Sequence, residues 1–229
     1  MTISIIIPTI NESENIGKLV FYFRELGNAL LKEIIVIDGG STDNTVELAE
    51  NAGAKVISSP QKGRAYQMNL GASIAEGDIL YFVHADTLPP TSCLTDIMEA
   101  LQQGFEMGRF LSQYDSSSFL LKINAYFSKY DWFAGMGGDQ TLFITKSLFD
   151  ETGGFNGSLK IMEDFEFCAR ARQNHQYKII SKPVLISARK YIKNAWLKVQ
   201  IANYTVVKMY KNGANQESMY LKYKELLNT

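Results

Sequence analysis

The stretch ILYFVHADTLPP, Ile79 to Pro90, sets five apolar residues directly before His84, Ala85 and Asp86, and a Thr-Leu-Pro-Pro break follows. On an extended backbone an imidazole and a carboxylate at i and i+2 point the same way. A lone carboxylate at a strand end suits Mg2+ or Mn2+ in a shell that a diphosphate completes, because these ions take oxygen ligands and substrate phosphates. Imidazole fits Mn2+ better than Mg2+. The competing reading makes Asp86 a turn cap ahead of Pro89.

Three further clusters carry chemistry. In DGGSTDNT, Asp38 precedes two glycines and a Ser/Thr/Asp run. The glycines allow close backbone approach, so Asp38 can reach a ribose or base, or Ser41 to Asp43 can simply cap the next helix. In KGRAYQMN, Lys62 and Arg64 open a helix whose dipole disfavours cations there. A bound anion would relieve both charges, and a solvated basic face is the alternative. In IMEDFEFCAR, Glu163 and Asp164 stand side by side at a helix start. Carboxylates suit that dipole end, and one of them could serve as a general base. Gly138, Asp139 and Gln140, in the GMGGDQ loop, could meet sugar hydroxyls or merely form a turn.

These residues need a frame that brings strand ends together. The N-terminal half alternates short β-branched runs (ISIII, EIIVID, AKVISS, DILYFV) with helical patterns, among them NTVELAENAG closing on Gly53. Such alternation predicts a mostly parallel sheet flanked by helices, with ligands beyond the carboxyl ends of the strands. The second half is less regular. It predicts strands at GRFLSQY, QTLFIT, YKIIS and PVLIS, helices at about Ser92 to Gln103, SSSFLLKINAYFSKYDWF and MEDFEFCARARQN, and a terminal helix at NAWLKVQIANYTVVKMYKN.

The chain is 46% hydrophobic with a net charge of −1, which permits an ample core and gives no global basic field for nucleic acid. Cys93 and Cys168 match no zinc spacing and read as reduced thiols of a cytoplasmic protein. The opening MTISIIIPTI has no basic n-region, and no stretch approaches the roughly 20 apolar residues of a spanning helix. At most a peripheral membrane contact is expected.

Taken together, these segments resemble the family-two glycosyltransferases of the GT-A fold over roughly residues 3 to 190. IIPTINESENI is similar to that family's opening, whose Pro-Thr-x-Asn-Glu shapes the nucleotide pocket, and IIVIDGGSTDNT is similar to its second strand, whose Asp contacts the nucleotide. GRAYQMNLGASIAEGDILYFVHADT resembles its third block, ending in the metal-binding Asp-x-Asp element, and MEDFEFCAR its Glu-Asp-x-Asp-Leu-x-x-Arg block. The resemblance implies a donor site of Pro8, Thr9, Asn11, Glu12, Asp38, Gly39, Lys62, Arg64, Asn69, His84 and Ala85. It also implies metal contact by Asp86 with His84, and catalysis by Asp164, the usual base, with Glu163 beside it. His84 stands where the first acid of Asp-x-Asp would be, as in short soluble bacterial members carrying His-Ala-Asp-Thr, and Glu166 replaces a later Asp. The acceptor-side Gln-x-x-Arg-Trp of processive members is absent, and SARKY (Ser187 to Tyr191) lies in that region.

The function so implied is transfer of one hexosyl unit, from a nucleotide-sugar donor carrying UDP, to an acceptor hydroxyl by a metal-assisted inverting displacement. The acceptor is open between a lipid-linked and a small molecule. Residues 1–190 would form the catalytic domain and 191–229 a C-terminal helical extension packed on it. A sugar-nucleotide nucleotidyltransferase would need a glycine-rich basic loop after strand one, which PTINESENI lacks, and a dinucleotide oxidoreductase would need G-x-G-x-x-G. A non-catalytic nucleotide-sugar binder is the other alternative, and retention of Asp86 and Asp164 counts against it.

Overall fold

A computed structural model describes residues 1–27, 29–130 and 141–227. Its elements in chain order are β1 (Ile3–Thr9), α1 (Ile16–Glu25), β2 (Leu31–Asp38), α2 (Thr45–Asn51), β3 (Lys55–Ser58), α3 (Arg64–Ile74), β4 (Ile79–Phe82), β5 (Thr87–Leu88) and α4 (Cys93–Gln102). There follow β6 (Met107–Tyr114), α5 (Phe119–Phe127), β7 (Leu142–Thr145), α6 (Lys146–Glu151), α7 (Glu163–Ala171), β8 (Tyr177–Ile186), α8 (Arg189–Lys193), α9 (Trp196–Lys211) and α10 (Gln216–Leu227).

The strands form one sheet in the order β3-β2-β1-β4-β7-β6-β8-β5. Pairing is parallel from β3 through β4 and between β6 and β8, and antiparallel at β4–β7, β6–β7 and β5–β8. The predicted α/β sheet flanked by helices is present, with more antiparallel pairing in its second half than the alternation of the first half suggests.

Side-chain alternation along β1 explains the two layers. Ile3, Ile5 and Ile7 pack with Ile16, Val20 and Phe23 of α1 and Leu94 and Ile97 of α4. Ile6 faces the other way, among Met68 and Ala72 of α3 and Phe167 and Ala171 of α7. Strands buried on both faces read as continuous apolar runs, which is why ISIII shows no polar alternation. Gly71 lets α3 lie close: a Cβ there would stand 2.4 Å from Ile6 Cγ2.

Two elements differ from expectation. YKIIS and PVLIS are one strand, β8, whose register with β6 shifts between Phe110 and Leu111. Pro183 has no N–H for the ladder and sits at that irregularity, the usual place for a strand proline. The terminal helix expected at NAWLKVQIANYTVVKMYKN is α9, and a further helix beyond those expected, α10, follows where Gly213, at φ 70, turns the chain. Met162 shares a small buried cluster with Val206 of α9 and Met219 of α10. No helix among the described residues is long and apolar enough to cross a membrane.

Candidate active site

The carboxyl ends of β1 and β2 are tied together from below by Gln67 of α3. Its buried amide donates to the Thr9 and Ile37 carbonyls, each at 2.8 Å. Pro8 and Thr9 are buried, so their side chains shape the floor and do not project into solvent. Gly39 is pressed against the same amide, with room for a Cβ only 3.0 Å from Gln67 Nε2.

Above this floor, two loops interlock. Asn11 adopts a left-handed φ of 53 and accepts from the Thr42 N–H at 2.8 Å, while its own N–H donates to Ser41 Oγ at 2.9 Å. The Glu12 N–H donates to Thr45 Oγ1 at 2.8 Å. Asp38 is buried and accepts from the Gly40 and Ser41 N–H groups at 2.9 and 3.0 Å and from the Ser41 hydroxyl. The Asp38 carboxylate thus organises the glycine turn. Asp43 accepts from Thr45 and Ser13, and these hydrogen bonds, that of the Thr45 hydroxyl foremost, lower its pKa to about 2.

The turn after β4 corrects one expectation. The chain turns between His84 and the start of β5: the Thr87 N–H closes on the His84 carbonyl at 3.0 Å. The i, i+2 argument for a shared direction therefore fails. His84 lines a cleft with Arg64, Phe82, Thr141, Asp164 and Tyr177. Asp86 instead meets Arg189, whose Nη2 lies 3.0 Å from its Oδ2. Ala85 is buried in the α1/α4 core, which leaves only its backbone for a ligand. The same Arg189 guanidinium donates to both Glu12 oxygens, the Nη1 bond measuring 2.9 Å. The hydrogen bonds Arg189 donates to Glu12 first, and the Asp86 charge after burial's opposing effect, raise the Arg189 pKa.

Glu163 and Asp164 part company in the first turn of α7. Asp164 lines the cleft with His84. Glu163 is 4% exposed and stands 3.4 Å from Arg64 Nε. Burial raises its pKa, Arg64 opposes that, and Asp164 adds to it. The cation that the helix dipole disfavours at the start of α3 therefore has a protein carboxylate beside it. Met162, which precedes the pair, has a left-handed φ of 71, an uncommon state for a non-glycine residue. One turn on, Glu166 and Arg170 form an i,i+4 pair at 2.7 Å, and Arg170 also donates to the Gly154 carbonyl at 2.8 Å, fixing α7 to the preceding loop.

Asn69 turns inward. Its amide donates to the Phe155 carbonyl at 2.8 Å and accepts from the Phe155 N–H at 2.9 Å, a structural use of both ends. Lys62 is exposed just before α3. Gly138, Asp139 and Gln140 lie outside the described residues.

Among the described residues no three His, Cys, Asp or Glu side chains gather into a metal cage. The donor chemistry suits a shared shell instead: one partly exposed carboxylate at a strand end, to which a hard cation can bind if phosphate oxygens supply the rest. The residues that sequence reasoning missed are Arg189 and Gln67. Arg189 sits in SARKY, and nothing local marks it, since both of its acidic partners are remote in sequence.

The family model for Glycosyl transferase family 2 matches residues 4–163. Glucosyl-3-phosphoglycerate synthase of Mycolicibacterium smegmatis is 37% identical over 97 residues, which is 39% of this chain and 32% of that protein. The chain thus spans about a third of the length of such curated relatives. Among solved structures, Staphylococcus aureus TarS 1-349 in complex with UDP-GlcNAc superposes with a TM-score of 0.67 at 17% identity, covering 100% of this chain and 72% of that one. Glucosyl-3-phosphoglycerate synthase from Mycobacterium tuberculosis, in complex with Mn2+, UDP-glucose and phosphoglyceric acid, superposes with a TM-score of 0.65 at 17% identity, covering 99% and 80%. At that identity the likeness is one of fold, and it agrees with the GT-A architecture. With its family model matched across most of the sheet and the start of α7, this chain belongs to the family 2 glycosyltransferases.

Proposed function

We propose that the chain transfers a hexosyl unit from a nucleoside-diphosphate sugar, with UDP as the nucleotide, to an acceptor hydroxyl in one inverting displacement. The observation that carries this reading is the cleft in which Asp164, His84 and Arg64 meet beside the Asp86 turn. Relatives of this fold whose complexes hold UDP-GlcNAc, or UDP-glucose with Mn2+, support the donor class.

In this reading Asp164 removes the acceptor hydroxyl proton as the oxygen attacks the anomeric carbon. Glu163, braced by Arg64, holds the first turn of α7 so that Asp164 faces the cleft. The Asn11–Thr42 and Glu12–Thr45 contacts, with the Asp38–Gly40 turn, form a rigid seat for the nucleoside. His84 and Lys62 approach the donor from the β4 and α3 sides. Asp86 would hold a divalent cation, Mn2+ or Mg2+, with phosphate oxygens of the donor completing its oxygen ligands. Such a cation, when bound, stabilises the charge of the departing diphosphate as a Lewis acid.

Residues 1–190 constitute the catalytic unit and 191–229 a helical extension on it. A cytoplasmic setting accords with two buried thiols, Cys93 and Cys168, each pushed up to about 12 by burial and so unreactive. The acceptor is a lipid-linked or small-molecule hydroxyl.

The test is a panel of UDP-, GDP- and TDP-sugars read by thermal unfolding with and without Mn2+. A donor at a hundred times its Kd stabilises the fold by about 2.7 kcal/mol. NMR of the product's anomeric proton then checks inversion. A panel in which no nucleotide sugar shifts unfolding sinks the reading. Donor binding without turnover on any acceptor identifies a non-catalytic binder instead.

A further inference from the structure

The α9 helix has two apolar stripes, and among the described residues one is buried and the other exposed. Val199, Ala202 and Val206 are buried, packed toward α10 through Met219 and Leu227. Leu197, Ile201 and Tyr204 follow the same i, i+4, i+7 geometry on another side, and Leu197 and Tyr204 are 62% and 69% exposed. Ile192 of α8, immediately upstream, is 84% exposed. A helix that only packs on its own domain needs one apolar stripe, not two.

A second exposed apolar element lies alongside. Tyr191 of α8 packs edge-on against Tyr114, ring centroids 5.5 Å apart, and its hydroxyl accepts from Asn124 of α5 at 3.3 Å. The α5 helix exposes Phe119 at 74%, with Tyr126 and Phe127 also open to solvent. Lys129 lies over the Tyr126 ring at 3.6 Å.

The charge on these elements has one sign. Residues 116–130 and 187–216 contain no Asp or Glu, yet hold seven lysines and Arg189, in a chain whose net charge is −1. Basic charge is therefore concentrated where the exposed apolar side chains are. On α10, behind α9, Glu225 is paired with Lys222 at 2.9 Å. Exposed aliphatic and aromatic side chains on a lysine-bearing helix, with no acid between them, match a surface that lies in the headgroup region of an anionic bilayer.

We infer that α8 and α9, with α5 beside them, form a docking face for an anionic lipid bilayer, with Ile192, Leu197, Ile201 and Tyr204 entering the interface and Lys193, Lys198 and Lys208 facing the headgroups. The face begins at Arg189, the residue that grips Asp86 and Glu12, so docking brings the bilayer next to the candidate active site. The inference does not depend on the transferase reading, because binding is measured without donor or acceptor.

The experiment is co-sedimentation of the full chain with vesicles of equal parts phosphatidylcholine and phosphatidylglycerol, and with phosphatidylcholine alone, at low and high salt. The expected result is pelleting only with the anionic vesicles, weakened by salt. A Lys193→Gln, Lys198→Gln, Lys208→Gln triple variant should lose about 10²-fold in partitioning, since each basic residue at such a surface is worth roughly a five-fold factor. A Leu197→Ser, Ile201→Ser double variant should also release the chain, although its charge is unchanged. All these positions are at the surface, so matching thermal unfolding curves establish that the variants are folded. A chain that stays in the supernatant throughout overturns the inference, as does equal binding to uncharged vesicles. So does sedimentation velocity showing a self-associated species in lipid-free buffer that the serine variant dissolves, for the face would then be an interface between copies.

Discussion

Arg189 and Asp86 form an ion pair at 3.0 Å, and the same guanidinium grips Glu12 in the first β-α loop. The carboxylate expected to hold a divalent cation is thus paired with a protein cation. Guanidinium and metal compete for one charge. Arg189→Ala should therefore tighten binding of Mn2+ alone by about two- to five-fold, the factor carried by a partly exposed pair worth up to ~1 kcal/mol. Electron paramagnetic resonance titration of Mn2+ without nucleotide measures this. Weaker Mn2+ binding in the variant would show that Arg189 and the metal do not share Asp86.

Asp86→Asn keeps the shape and removes the charge. Titration calorimetry of UDP should lose its dependence on Mn2+, while the fold survives because the residue lies in a turn at the sheet's edge. Metal-dependent UDP binding that persists in the variant would reduce Asp86 to a turn residue.

Asp164→Asn should leave UDP affinity within a factor of a few and lower turnover by ~10²–10⁴-fold, the range for losing a general base. The comparison with Glu163→Gln is informative because the neighbours differ in burial. If Gln at 163 harmed kcat more than Asn at 164, the roles would be exchanged.

Glu163 also predicts a pH dependence of stability. Burial raises its folded pKa above the ordinary 4.5, so the folded state holds its proton more firmly than the unfolded chain does. That contribution is complete below the unfolded value and is lost as pH climbs through the raised one. Urea midpoints of the wild type should fall across that window, and Glu163→Gln should flatten the slope. An unchanged slope would mean that Arg64 keeps Glu163 ionised at every pH tested.

Gln67→Leu removes the donor to two buried carbonyls, Thr9 and Ile37. Each carbonyl keeps a second donor, the Gly39 N–H on Thr9 at 2.8 Å and the Thr9 hydroxyl on Ile37 at 3.4 Å, so losing the two bonds should cost about 0.5–1.5 kcal/mol apiece in chemical denaturation. UDP affinity should fall with it, because Gly39 and the Asp38 turn rest on this amide.

What the sequence made legible was local. The runs ISIII and EIIVID, the cap at Gly53 and the paired acids opening α7 are each set by neighbours within a few residues, and each appears where expected. The turn at His84 was misread because an apolar run gives no signal of where extension stops. The bulge at Pro183 and the antiparallel β5–β8 pairing depend on partner strands distant in the chain. Arg189 escaped for the same reason: a salt bridge spanning 177 residues leaves no periodic trace. Asn69, expected near the donor, belongs to another long-range pairing, with Phe155 86 residues on.

Met162 joins two parts of the molecule that share no chemistry. Its left-handed backbone immediately precedes Glu163 and Asp164, and its side chain is wedged among Val206 and Met219. Such a conformation costs a non-glycine residue roughly 1–2 kcal/mol and lasts only while its surroundings enforce it. The α9–α10 hairpin is thus a fastener: it keeps a strained peptide cocked, and that peptide sets the direction in which α7 leaves the loop. The conformation that precedes Asp164 is therefore held by packing contributed by Val206 of α9 and Met219 of α10, more than forty residues further along the chain.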